Sequence, residues 1–378
     1  MPGHFGQKIL NTFGIDHHGH GQGQGQGQPY QQPPPPGDNR LAGNRIIHND
    51  ERLLSPHPAG TYPRLARLHD GRILASFTRF VGGGERVLMV SISHDNGQTF
   101  TDHGEISRGT GDIDNVYLLE IGPGTVLAAF RNHDIGPGGP THFRITVCRS
   151  TDSGRSWSFA SQAAEKPAPL GIWEPFMRLG RRPGEIQLTY SQEFAHNNQC
   201  TMLVRSYDGG SSWSAPQCLH GAEDQRRDGM NGIARTWDPV RNCEALVMVF
   251  ETTTYGTFDV EALVSYDDGE TWGGRQQVYV PPQGHNAGAP QIASLGDGSL
   301  AVIFMCDEDF REVEWTKNAC VKVVFGSMPH DGRVMWTNPT TVCGDSSHWP
   351  GIFTLDDRRL LALYECGGPK AKTIALEW

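Results

Sequence analysis

Ser150-Thr151-Asp152-Ser153-Gly154-Arg155-Ser156-Trp157 carries the deciding pattern, Ser-x-Asp-x-Gly-x-Ser-Trp. A short carboxylate can bond the amides of its own turn, a glycine can take left-handed backbone, and an aromatic can return the chain to a core. Together they spell a tight turn between two strands. The pattern recurs as Ser93-x-Asp95-x-Gly97-x-Thr99-Phe100, Ser206-x-Asp208-x-Gly210-x-Ser212-Trp213 and Ser265-x-Asp267-x-Gly269-x-Thr271-Trp272. The four aspartates are separated by 57, 56 and 59 residues, one near-constant period. Asp331-Gly332 with Trp336 reads as a fifth, degraded copy. Recurrence at a fixed period is the mark of a repeat architecture.

Between the turns lies a second repeat, a pair of strands. Leu68-x-Asp70-Gly71-x-Ile73-Leu74-Ala75-Ser76-Phe77 is its clearest copy, and residues 295–304 and 355–364 match it closely. Residues 121–130, 179–190 and 234–250 match with altered turns. The six closing aromatics are Phe77, Phe130, Tyr190, Phe250, Phe304 and Tyr364. Six copies of a short-stranded unit predict an all-β fold, a six-bladed β-propeller over residues 45–378. The last copy has one strand left after Tyr364, residues 371–378. Arg45 to Asp50 is expected to supply its missing outer strand and so close the ring without a free edge. Residues 1–44 hold His17, His18 and His20, a Gly-Gln repeat and Pro33 to Pro36, a composition expected to form a disordered low-complexity tail.

The chain has 378 residues with 32 Lys and Arg against 42 Asp and Glu, a net charge of −10 that argues against a nucleic-acid partner. No apolar run reaches membrane-spanning length, so no membrane partner is expected. No secretory signal is visible at the N-terminus, so a cytoplasmic chain is the expectation from sequence alone, with the location itself left unassigned. The eight cysteines are scattered without a CxxC pair and read as mostly reduced core thiols. A compact His/Cys set is lacking, so neither a metal nor another cofactor is implied. A monomer is expected.

Strand order then restricts where chemistry can sit. In each blade the inner strand starts at one face, the Asp-Gly turn lies at the other, and the second strand returns. The Ser-x-Asp-x-Gly turn joins the third strand to the fourth. It therefore lies opposite the face that holds inner-strand starts and second-strand ends. Equal copies around a rim do not converge, so local turn bonding accounts for them. The other face carries unequal residues. Inner-strand starts supply Arg64, Asp112 with Asp114, Glu174, Arg227 with Asp228, Asn286 with Gln291, and Trp349. Second-strand ends supply Arg79, Arg131 with Asn132, Ser191 with Glu193, Glu251, Asp307 and Glu365. Carboxylates, arginines and amides at the mouth of a ring suit a sugar. Glu174, framed by Gly171-Ile172-Trp173 and Pro175-Phe176, is expected to be held protonated by burial, as a general acid requires. Glu251 ends the apolar run 245–250 in the next blade, where it can face Glu174. Two carboxyls flanking a bond are the usual equipment for glycoside hydrolysis.

The motif resembles the Asp-box, or BNR repeat, of sialidase-like propellers. Trp173-Glu174-Pro175-Phe176, Arg227-Asp228-Gly229-Met230, Phe250-Glu251-Thr252 and Asn286-Ala287-Gly288-Ala289-Pro290-Gln291 resemble glycoside hydrolase family 93 over about residues 45–378. That resemblance implies a retaining exo-α-1,5-L-arabinanase that releases arabinobiose and usually acts outside the cell. It implies Glu174 as acid/base and Glu251 as nucleophile. Arg64, Asp114, Arg227, Asp228, Asn286, Gln291 and Trp349 would then hold sugar. Two alternatives stand beside it. In an exo-α-sialidase, Arg64, Arg131 and Arg227 would clamp a carboxylate and Tyr364 would be the nucleophile, but Glu251 would have no role. A non-catalytic glycan-binding propeller requires both glutamates to be incidental.

Overall fold

The computed structural model describes residues 41–378, so the expected tail lies outside the described residues except for its last four. The strands form six antiparallel sheets arranged as a six-bladed β-propeller, the first five each running in sequence from an inner to an outer strand. Blade 1 comprises Thr61–Arg67, Ile73–Gly82, Glu85–Ser93 and Thr101–Gly109. The inner strands of blades 2 to 6 are Asp112–Gly122, Ile172–Leu179, Gly229–Asp238, Ala287–Ser294 and His348–Asp356.

Neighbouring blades cover both faces of each second strand, so these strands are apolar along their length rather than alternating. Leu300–Cys306 and the run 245–250 are buried at every residue. The six repeated aromatics are each at most 1% exposed. Phe130 packs with Leu74, Leu88 and Val90 of blade 1, and Tyr190 with Phe143, Ile145 and Val147 of blade 2. Each ring thus fills the seam between two blades and stabilises it by about 1.5–3 kcal/mol.

The repeated turns join third and outer strands, as the period predicts. In blade 2, Ser150 Oγ donates to Asp152 Oδ1 (2.8 Å) and accepts the Gly154 N–H (2.8 Å). Asp152 accepts the amides of Arg155 and Ser156 and the Ser156 hydroxyl (3.1, 2.9 and 2.6 Å). Gly154 sits at φ +87°, where a Cβ would meet Leu74 at 2.8 Å. Ser153 N donates to Gly124 O (2.9 Å), which puts the motif beside the turn between inner and second strands. In blade 5 the expected degraded copy does lie between third and outer strands, but Asp331 forms none of the turn's bonds. There the Ser327 hydroxyl accepts the Met335 N–H (3.1 Å) and Gly332 N donates to Asp238 of blade 4 (3.1 Å). The inserted residues of this longer turn carry Asp331 away from the serine.

Both ends of the described chain build blade 6. Asn44–Ile47 pairs with Pro369–Glu377, from Asn44 opposite Glu377 to Ile47 opposite Ile374. Arg52–Leu53 joins the same strand, and Asp50 accepts the amide and hydroxyl of Thr373 (2.9 and 2.6 Å). No helix is long and apolar enough to cross a membrane among the described residues.

Candidate active site

On the face where the inner strands start, all six break register at the same place. The breaks fall between Thr61 and Arg64, Asp114 and Tyr117, Trp173 and Phe176, Gly229 and Gly232, Gly288 and Gln291, and His348 and Gly351. Inside each break one residue adopts left-handed backbone: Tyr62, Asn115, Glu174, Met230, Ala289 and Trp349, with φ between 36° and 52°. For side chains other than glycine this costs about 1–3 kcal/mol apiece, and bulges of this kind re-aim a side chain. Proline follows four of the six, at positions 63, 175, 290 and 350; it has no N–H for the broken ladder to strand.

The bulge residues meet at the ring axis. Tyr62, Met230 and Ala289, from blades 1, 4 and 5, form one packed cluster with Trp349 of blade 6 against it. Tyr62 and Trp349 stack with centroids 4.6 Å apart. The Arg131 guanidinium lies over the Tyr62 ring at 5.5 Å. From there Arg131 Nη1 reaches Glu174 Oε1 at 3.2 Å. Arg131 also pairs with Asp112 (3.3 Å) and Asp114 (3.4 Å). Arg86 bonds Asp112 as well and reaches Asp114 at 2.9 Å. Two arginines and two aspartates thus balance, and Arg131 and Arg86 hold Asp112 ionised against the cost of its burial.

Glu174 is left over from that balance. Burial pushes its carboxyl up to about 8; Arg131 and Arg227 oppose the rise, and the charges of Glu251 and Asp112 add to it. Glu251 stands differently. Burial pushes it up only to about 6, because the Ala289 N–H donates to Oε2 at 2.7 Å and Arg227 lies near. Gly288 makes that contact possible: a Cβ there would meet Glu251 Oε2 at 2.6 Å and the Trp315 ring at 3.0 Å. At neutral pH one carboxyl of the pair is protonated and the other ionised, the division that acid–base and nucleophilic work requires.

The other expected sugar-binding residues separate into groups. Trp349 is half-buried at the axis, stacked on Tyr62. Asp114 is in the arginine–aspartate network, and it also accepts from the Thr78 hydroxyl at 2.5 Å. Arg227 is held by Glu193 (2.8 Å) and Gln199 (2.9 Å) beside the pair. Arg64 and Gln291 lie two residues past their bulges, one layer deeper, with Tyr117 and Phe176 at the equivalent positions. Arg64 donates to the carbonyls of Pro63 and Pro350 (2.8 and 2.9 Å), and no carboxylate pairs with it among the described residues. Burial lowers its guanidinium to about 10.

Asp228 and Asn286 depart from expectation. Asp228 is fully buried, with Arg275 on both oxygens (2.8 and 3.0 Å), the Thr252 hydroxyl at 2.6 Å and His220 at 3.1 Å. It fastens blade 4 internally and, through His220, ties it to blade 3. Asn286 spends its amide on Asp307 Oδ2 (2.8 Å) and its carbonyl on the Phe258 N–H (3.2 Å), so it ties down loops rather than facing a ligand. Strand position had placed both on the correct face, but it does not tell which side chains are already satisfied.

Three residues at the site are not among the candidates that strand position supplies: Tyr62, Met230 and Trp315. The X-Pro pairs at four inner-strand starts were the available signal for the bulges. Glu365, pushed up to about 7 by burial and by the Asp114 charge, is a further carboxyl at this face. The geometry expected of a sialidase is not met: the Tyr364 ring is buried between blades and its hydroxyl bonds Glu51 at 2.6 Å, while Arg131 and Arg227 are already paired with carboxylates. The eight cysteines are free thiols. Folding does bring donor atoms of Cys343, Asp345 and Cys366 within 4.8 Å of one another, apart from the axial pair and from distances in sequence that no spacing rule would join.

No family model matches the chain, and no curated protein does. Solved structures do resemble it. The α-L-arabinanase of Penicillium chrysogenum complexed with arabinobiose aligns at TM-score 0.60 and 17% identity, over 88% of this chain and 98% of that one. The GH93 α-L-arabinofuranosidase of Fusarium graminearum with arabinobiose aligns at 0.60 and 17%, over 87% and 98%. The NanB sialidase of Streptococcus pneumoniae aligns at 0.56 and 13%, over 88% and 70%. At these identities the likeness establishes the shared propeller fold.

Proposed function

We propose that the protein is a glycoside hydrolase, a retaining exo-α-1,5-L-arabinanase that releases arabinobiose from arabinan, with Glu174 as acid/base and Glu251 as nucleophile. The observation that carries this reading is the axial carboxyl pair, whose environments push one to about 8 and the other to about 6. In the first step Glu174 gives its proton to the glycosidic oxygen while Glu251 attacks the anomeric carbon, forming a glycosyl-enzyme and freeing the remaining chain. In the second, Glu174 takes a proton from water, and that water displaces Glu251 to restore both groups. The buried layer of Arg64, Phe176 and Gln291 beneath the bulges supports entry by a chain end rather than by the middle of a polymer. Arabinobiose in two of the similar structures supports the choice of sugar.

The test is product analysis of the purified protein on linear α-1,5-arabinan and on a sialoside. Arabinobiose is expected from the first and nothing from the second. E174Q and E251Q should each lower turnover by about a thousandfold or more, since removing one member disables the unit. Sialic acid release without an arabinan product would overturn the substrate, and near wild-type rates in either variant would overturn the mechanism.

A further inference from the structure

One connection on the upper face, where the inner strands start, differs from the rest. Second and third strands are joined there by short links in blades 1, 2, 3 and 6 and by residues 253–258 in blade 4, but by residues 307–319 in blade 5. The last of these is built to hold one side chain. Lys317 N and Asn318 N both donate to Glu314 O (2.7 and 3.0 Å), and Asn318 Nδ2 donates to Glu312 O (3.0 Å), closing a turn around Trp315. At the loop's base Asp307 is fully buried and accepts from Asn286. Asn286 also binds the Phe258 N–H, and Phe258 lies parallel to Trp315 at 27° with centroids 6.1 Å apart. The indole also packs against the axial cluster of Tyr62, Met230, Ala289, Met305 and Ala319. Its ring edge also borders Gly288, against which the Glu251 carboxylate sits. Even so, Trp315 stays partly exposed.

The geometry points to Trp315 as a sugar-stacking platform beside Glu251, the residue that selects which saccharide ring lies against the nucleophile. This rests on the carbohydrate reading of the site but not on the sugar being arabinose. A pyranose or furanose ring presents a face of C–H bonds whose positive edges suit the negative face of an indole. A loop with its own hydrogen bonds keeps that indole in place before the ligand arrives, which lowers the ordering cost of binding.

The experiment compares full-length E251Q with E251Q/W315A and E251Q/W315F on a glycan panel. It includes linear arabino-oligosaccharides and sialyllactose, with affinities of captured glycans measured by calorimetry. Every glycan held by E251Q should bind about tenfold more weakly to the alanine variant and recover to within about threefold with phenylalanine. Melting temperatures of E251Q and E251Q/W315F should agree, since the phenylalanine keeps the packing; a merely structural tryptophan would move Tm on truncation and spare affinity. Arabino-oligosaccharides bound equally by E251Q and E251Q/W315A would overturn the platform while leaving the arabinanase reading intact. Capture of other glycans only, still weakened by W315A, would overturn arabinose and keep the platform. No capture at all would overturn both.

Discussion

Glu174 owes its protonated state to position more than to neighbours. Its left-handed bulge sets the carboxyl in a largely dry site, and the guanidiniums near it are shared: Arg131 with two aspartates and Arg227 with Glu193. Burial therefore wins, and the folded protein binds a proton here up to about pH 8 that the unfolded chain releases near its ordinary value. Between those two pH values the native state carries more protons than the unfolded one, so stability falls as pH rises through the window. E174Q removes the titration. It should melt with wild type at pH 4 and above wild type at pH 9, by about 1–2 °C for each kcal/mol recovered. Calorimetric melts at the two pH values check this; equal melting at pH 9 would mean the carboxyl is not held dry.

Among the elements, the repeated turn and the bulged inner strand have opposite roles. The turn is locally held: Asp152 is held down to about 2 by the Ser156 hydroxyl and amide, and every bond to its carboxylate comes from within residues 150–156. D152A should cost about 1–2 kcal/mol, discounted for exposure, and leave kcat/KM within about twofold, because the turn faces away from the pair. Urea melts and assays of one preparation measure both, and a tenfold drop in activity at unchanged stability would contradict the assignment of faces. The bulged strand, by contrast, carries strain at six places and orders its residues only through the other blades. Tyr62 and Met230 come from opposite blades, yet they pack together.

At the scale of the whole molecule, the ring depends on joining its two ends. Asn44–Ile47 covers the edge of Pro369–Glu377, and Glu51 adds bonds to Tyr364 (2.6 Å) and Lys370 (2.7 Å). A chain beginning at residue 54 should lose about 3 kcal/mol or more, lowering Tm by roughly 4 °C or more relative to one beginning at residue 41. Thermal scans of the two truncations decide it. Equal melting would show that the closing strand contributes little.

The blade count, the strand order, the closing segment and the face carrying both glutamates were legible in the sequence. Each follows from local turn chemistry or apolar periodicity, repeated often enough to be recognised. The roles of Asp228, Asn286, Tyr364 and Trp315 were not. Strand position says which end of a blade a residue occupies, but a side chain's freedom depends on partners far along the chain. Arg275 satisfies Asp228, Asp307 satisfies Asn286, and Glu51 takes the Tyr364 hydroxyl. The axial bulges lie between these cases: their X-Pro signal is in the sequence, but only closure of six blades about one axis turns six separate breaks into a single lined site.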